Sequence, residues 1–335
     1  MKLFEPDYFE KFHCIAAACP ESCCKEWDVL VDKDSAALYR CLEGPLGDQL
    51  RQVLQEDEDG NTVMTIQDGR CPMWQQDGLC RIQAQLGESA LCQVCRDFPR
   101  LTHDYGNFIE RGLELSCPEA ARLILTATNH DFLCREVPGD QTPEYDTEVM
   151  EILLHTRKEA LEILYDDRFS PAQALTLLLY YGYQAQAMVD GEEPPEFHAE
   201  AILNSTKSIS VHPDAQAFAD FFATLEILTP QWSARLSESL SPALWTWEFR
   251  NLAAYFVQRY WLQAVSDYDL VSRVKLTAVS CLLVHLLGGD LLQTAQLYSK
   301  EIENNIDNLD ALLDAMYTNH AFTDKNLLSL LATAE

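Results

Sequence analysis

Twelve cysteines limit what this chain of 335 residues can become, and their placement limits it more than their number. Eleven lie at or before Cys134, and only Cys281 lies beyond, in an apolar helical pattern where a thiol packs as a small hydrophobe. The opening MKLFEPDYFEKFHC has no basic leader and no apolar core of signal-peptide length. No stretch has the roughly 18–20 uninterrupted apolar residues of a membrane span. These features predict a cytoplasmic protein without a membrane partner. In a reducing compartment a dense set of cysteines points to metal binding or catalysis rather than to a disulfide framework.

Charge narrows the partners. With 24 basic and 53 acidic residues the net charge is −29. A surface of that sign repels nucleic acid and anionic lipid and attracts lysine-rich surfaces and cationic ligands, although solubility alone accounts for it equally well. The apolar fraction of 47% is ample for a core.

Composition divides near residue 140. The turn-rich stretch Val137-Pro138-Gly139-Asp140-Gln141-Thr142-Pro143 separates a cysteine-rich part, 1–136, from a helical part, 144–335. The fold class expected is mainly α: a cysteine-rich, metal-binding N-terminal region with a few short strands, followed by an irregular multi-helix C-terminal domain. Strands are expected at Thr62–Gln67 and Phe108–Leu115, and helices over Ser35–Leu54, broken at Gly44-Pro45, and Pro118–Thr126. Ser170-Pro171-Ala172-Gln173 has the form of a capping box with proline at the first helical position. Ser241-Pro242 is expected to open a helix with Trp245, Phe249, Leu252, Phe256 and Tyr260 on one face. Periodicity predicts further helices at 145–166, 214–228, 268–288, 290–305 and 307–318.

The cysteines fall into groups: Cys14-x4-Cys19-x3-Cys23-Cys24; Cys71-Pro72-Met73-Trp74 with Gly78-Leu79-Cys80; Cys92-x2-Cys95; and Cys117-Pro118. Thiolates are the preferred ligands of zinc and of iron–sulfur clusters. Structural zinc sites show two clean short-spaced pairs, whereas only Cys92/Cys95 is such a pair here. The adjacent Cys23 and Cys24 suit one tetrahedral ion poorly, because neighbouring side chains diverge. Scattered spacing favours an iron–sulfur cluster, or ligands shared between two centres, over zinc. Cys117, at a helix start, meets free amides and the positive end of the helix dipole, which lower a thiol's pKa; this suits a metal ligand or a reactive thiol. His13 and His103 flank the groups as further donors. Nucleotide-binding glycine turns, a P-loop, a nucleophile elbow and the C-x3-C-x2-C triplet of radical enzymes are absent from the sequence.

Phe12-His13-Cys14, Cys19, Cys23-Cys24 and Trp27 together resemble the flagellin lysine-N-methylase (FliB-like) family, within a wider class of C-x-x-C-x-x-C-C zinc- or iron-chelating proteins. Gly78-Leu79-Cys80, Cys95-Arg96-Asp97-Phe98-Pro99-Arg100, Leu115-Ser116-Cys117-Pro118-Glu119, Tyr255-Phe256, Arg259-Tyr260 and Tyr298-Ser299-Lys300-Glu301-Ile302 extend the resemblance over most of the chain. It implies methyl transfer from S-adenosylmethionine to lysine side chains of flagellin, with an iron–sulfur cluster, 4Fe-4S in type, and with zinc as the alternative metal. The metal ligands implied are Cys14, Cys19, Cys23, Cys24, Cys71, Cys80, Cys95 and Cys117. Cys41, Cys92 and Cys134 fall outside the pattern and read as structural. Asp28, Asp97 and Tyr105 are the catalytic candidates, and Trp27 and Trp74 the candidates for holding the cationic methyl donor. The competing expectation is a non-catalytic chelating or redox-sensing protein that kept the cysteine region.

Overall fold

In the computed structural model, residues 1–24, 28–57, 59–128, 131–139, 141–207, 209 and 213–333 are described. Among them the chain is mainly helical, with two small sheets near its N-terminus. The strands are β1 (Lys2–Pro6), β2 (Val29–Leu30), β3 (Leu54–Glu56), β4 (Thr62–Met64), β5 (Arg100–Asp104), β6 (Phe108–Leu113) and β7 (Phe132–Glu136). One sheet runs β5-β6-β1-β7, with Leu3 opposite Ile109 in a parallel pair and opposite Arg135 in an antiparallel one. The other is antiparallel, β2-β4-β3, with Val63 between Leu30 and Gln55. The expected strands at Thr62 and Phe108 are present; β1, β2, β3, β5 and β7 were not expected. These are short strands whose partners lie up to 134 residues away in sequence, as Lys2 does from Glu136. Such pairing leaves little local period to detect.

Two apolar clusters result. The smaller one gathers Val29, Tyr39, Leu50, Met64, Met73, Ile82 and Leu91 around the second sheet. The larger one takes in Tyr8, Phe9 and Phe12, then Phe108 to Leu125, and then the helices to Leu331. It runs across the stretch near residue 140, so the first sheet and the helical body share a core. One ion pair ties them: Arg157, from the helix Thr147–Tyr165, donates to both oxygens of Glu110 on β6 at 2.8 and 2.6 Å. Both side chains are buried.

The helix Leu270–Leu287 lies at the centre of the body. It is long and apolar enough to cross a membrane by length and composition, but 89% of it is buried inside the protein, as a core helix is. Gly182 lets the helix Pro171–Val189 approach it closely, since a Cβ there would lie 2.7 Å from Val274 Cγ1. The capping box at Ser170 is present, with Gln173 N–H donating to Ser170 Oγ at 3.2 Å and Ser170 N–H to Gln173 Oε1 at 3.0 Å.

Two expected helices change extent. The segment opened by Ser241-Pro242 is not helical until Glu248, because the Ser241 and Ala243 amides donate instead to the carbonyls of Leu286 and His285. Gly288 permits this contact: a Cβ there would stand 1.9 Å from the Ser241 oxygen. Trp245 therefore lies outside the helix and stacks on His285, 4.3 Å between centroids. The helix expected over 214–228 stops at Phe222, because Asn308 and Glu301 side chains take the amides of Glu226 and Leu228.

Removing Arg157 leaves the Glu110 carboxylate buried without its partner. Arg157→Ala should cost roughly 3–5 kcal/mol, read as a lower urea midpoint. Burial pushes His285 down to about 4 from its ordinary 6.5. The unfolded chain then binds the extra proton first, so this contribution is complete above the ordinary value and is lost as pH falls toward the folded one. Between neutral pH and about pH 4 the wild type should lose roughly 3 kcal/mol more than a His285→Asn variant, measured by denaturation at each pH.

Candidate metal centre

The first thiol group forms where the N-terminal segment meets the helical body. Phe12 is buried and anchors the chain, and the short turn Ala16–Ala18 carries it to Cys19, whose amide bonds the Ala16 carbonyl at 2.9 Å. Cys117, from far along the chain, stands at the N-cap position of the helix Pro118–Leu125. Cys19 and Cys117 each lie close enough to Cys14 to feel its charge, and Cys23 feels both Cys14 and Cys117. Burial pushes the Cys117 thiol up to about 11, and the amides of Ala120 and Glu119 draw it part of the way back. The helix start therefore acts as the sequence implied, and desolvation outweighs it.

Residues from the far end of the chain hold this group in place. Gln296 donates to the Ser116 carbonyl at 2.6 Å and to Glu21 at 3.2 Å, and Lys300 pairs with Glu21. The Leu115 amide donates to Tyr255 Oη at 3.4 Å. Tyr255 and Tyr260 donate to Glu303 Oε1 at 3.0 and 2.8 Å, and Arg259 Nε lies 3.2 Å from the same oxygen. Glu303 is almost wholly buried. Glu114, three residues before Cys117, has its carboxyl raised by burial, with Arg259 opposing. Thus Tyr255 meets the Cys117 loop at Leu115, Arg259 and Tyr260 brace Tyr255 through Glu303, and Lys300 ties down Glu21 in the Cys19–Cys23 segment, all from positions more than 130 residues beyond Cys117. Tyr298 and Glu301 have internal roles: Tyr298 bonds Ser280 at 2.7 Å, and Glu301 accepts from the Leu228 amide at 2.8 Å.

The second thiol group belongs to the smaller apolar cluster, which includes Cys71 and Cys92 and has Cys24, Cys80 and Cys95 packed against it. The Cys71 amide donates to the Cys24 carbonyl at 2.7 Å, and Trp74 bridges to Cys80 across a tight turn through Gly78, whose φ is 82°. Cys92 stands at the N-cap position of the short helix Gln93–Asp97, and its thiol is hydrogen-bonded to that of Cys95. That bond lowers Cys92 and raises Cys95. A like bond between Cys23 and Cys24 raises Cys23 and brings Cys24 down to about 7. Among the described residues no three His, Cys, Asp or Glu side chains close around a single point as they would on one bound ion.

Cys92, set aside from the sequence pattern, thus stands with the ligand candidates; its C-x2-C spacing to Cys95 was the available signal. Cys41 and Cys134 are exposed, and Cys281 is buried in the central helix. Asp28 accepts the Ile66 amide at 2.8 Å, Asp97 is exposed, and Tyr105 stacks on Phe108 at 4.8 Å beside Tyr145. These three candidates are not brought together. Trp27 lies outside the described residues. The face of Trp74 holds the Arg70 guanidinium, 3.9 Å from its centroid. His13 is exposed, and His103 lines a cleft of about 30 Å³ with Glu110, Tyr255 and Arg259 rather than joining the thiols.

Fold and site together define a helical protein with a cysteine-lined junction. Over 127 residues the chain is 33% identical to the lysine-N-methylases of Salmonella typhimurium and Salmonella choleraesuis and to the flagellar biosynthetic protein FliU of Salmonella muenchen. The alignment covers 36% of this chain, 75% of FliU and 32% of each methylase, so the match spans about a third of the methylases' length. The chain belongs to this FliB-like family of FliU and lysine-N-methylases. No family model matches it, and no solved structure does.

Glu303→Gln removes the carboxylate that holds Arg259 and two tyrosines. It should cost roughly 3–5 kcal/mol and speed alkylation of Cys117 in the folded protein, measured by denaturation and by thiol-labelling rates.

Proposed function

We propose that this protein is a protein-lysine N-methyltransferase that moves a methyl group from S-adenosylmethionine to lysine side chains of flagellin. We assign its iron–sulfur cluster to Cys14, Cys19, Cys23 and Cys117. The observation that carries the reading is the polar network of the helical body, in which Tyr255, braced by Arg259, Tyr260 and Glu303, takes the Leu115 amide while Gln296 holds the Ser116 carbonyl beside Cys117, since a bare chelating module has no need of it. The donor set fits the group: four thiols, which bind iron–sulfur clusters as thiolates. Cys14 and Cys23 are exposed, so this centre is open to a substrate. When bound, the cluster supplies a thiolate-held iron site beside the Cys117 loop.

The residues of the chain set the rest of the chemistry. A lysine ammonium, with an ordinary pKa of about 10.4, must lose a proton before its nitrogen can attack a methyl group. Glu114, whose backbone carbonyl accepts the Cys117 amide at 3.3 Å, has its carboxyl raised by burial, and we assign it to accept that proton. The net charge of −29 favours approach of a lysine-bearing partner and of the cationic donor.

The test is methyl transfer to flagellin by oxygen-free holoprotein, with iron and sulfide analysis. Matched iron and sulfide with S-adenosylmethionine-dependent methyllysine formation support the reading. Glu114→Gln should lower turnover by about 10²–10⁴-fold with metal content unchanged. Iron-loaded protein that binds neither donor nor flagellin would sink the enzymatic reading and favour a chelating protein.

A further inference from the structure

We infer that the protein carries two separate thiolate centres, with the adjacent Cys23 and Cys24 divided between them. The second is a closed soft-metal site whose ligands come from Cys24, Cys71, Cys80, Cys92 and Cys95. The first centre rests on the functional reading above; the second stands without it.

Eight thiols carry the family resemblance, and the structure sorts them four and four. Cys14, Cys19 and Cys23 are neighbours of Cys117, which packs on the large core, whereas Cys24, Cys71, Cys80 and Cys95 pack on the small one, with Cys92 as a fifth. The division passes between two adjacent residues. Neighbouring side chains leave the backbone in different directions, and the Cys24 carbonyl is bonded to the Cys71 amide, which holds Cys24 against the 71–80 turn. Cys23 instead has Cys14 and Cys117 as its further neighbours. The hydrogen bond between the Cys23 and Cys24 thiols makes this pair the point where the two groups touch.

The surroundings of the two groups differ. Cys14 and Cys23 are exposed, whereas Cys71 and Cys92 are buried and Cys24, Cys80 and Cys95 are half-buried. Closed sites are structural and open ones reactive. Among the described residues the small cluster has thirteen buried members, two of them cysteines. Binding replaces the thiol protons: each ligand enters as a thiolate, and its proton goes to solvent.

The ligand is a thiophilic metal, as a single tetrahedral zinc ion or as a second iron–sulfur cluster; the two share one donor chemistry. The experiment measures iron, zinc and sulfide in anaerobically purified full-length protein, with X-ray absorption at the zinc and iron edges. It compares wild type with Cys23→Ala and Cys24→Ala, and with Cys14→Ser/Cys117→Ser and Cys71→Ser/Cys80→Ser. Wild type should hold metal for two centres. Cys23→Ala should strip one centre and Cys24→Ala the other, each leaving about half of the sites filled. Zinc bound by sulfur and retained in the Cys14→Ser/Cys117→Ser variant identifies the second metal as zinc; retained iron and sulfide identify a second cluster. Metal for one centre only in wild type, or the same loss from both single variants, overturns the inference. Should the Cys71→Ser/Cys80→Ser protein not fold, the wild-type stoichiometry and the two single variants still decide. Two filled centres without methyl transfer would overturn the functional reading and leave this one standing.

Discussion

The buried carboxylate of Glu303 is the constraint on which the arrangement of the site depends. A charge taken out of water must be met by partners, and here these are Arg259, Tyr255 and Tyr260. Because Tyr255 also receives the Leu115 amide, satisfying Glu303 fixes the loop that carries Cys117. Gln296 and Lys300 add a second tie through Ser116 and Glu21. Cys117 is thereby held by the helical body against cysteines from the first 23 residues. The cysteine-rich region and the helical body are coupled through a polar network rather than through apolar area alone.

The same logic recurs between the first sheet and the body, where Glu110 and Arg157 form a two-pronged pair. Buried pairs of this kind contribute little net stability but penalise any packing that separates them. They fix orientation. A sheet whose strands come from residues 2–6, 100–113 and 132–136 needs such a device, because its own pairing is short and non-local. The two thiol groups differ accordingly: one lies at an interface locked by ion pairs and open to solvent, the other inside a small apolar cluster.

Much of the helical part was legible because its signals are local. The capping box at Ser170 and the apolar run through Leu276–Leu287 announce helices that the structure contains. The start at Ser241-Pro242 misled, because proline after serine is a sound local signal while the Ser241 and Ala243 amides found carbonyls at the end of another helix. The candidates Asp28, Asp97 and Tyr105 are close to the cysteines in sequence, and closeness in sequence does not bring side chains to one place. Glu114, Glu303 and Gln296 carry no motif of their own, so only packing reveals them.

The sequence by itself determined that this is a mainly helical, acidic protein with its thiols concentrated at one end, since composition and periodicity depend on no distant partner. It also determined the family, whose cysteine spacing is written along the chain. Only the tertiary structure decided which thiols stand together and that Cys92 joins them. The physical reason is that proximity comes from burying apolar surface and pairing buried charge across more than a hundred residues. No local pattern of residues encodes those distances.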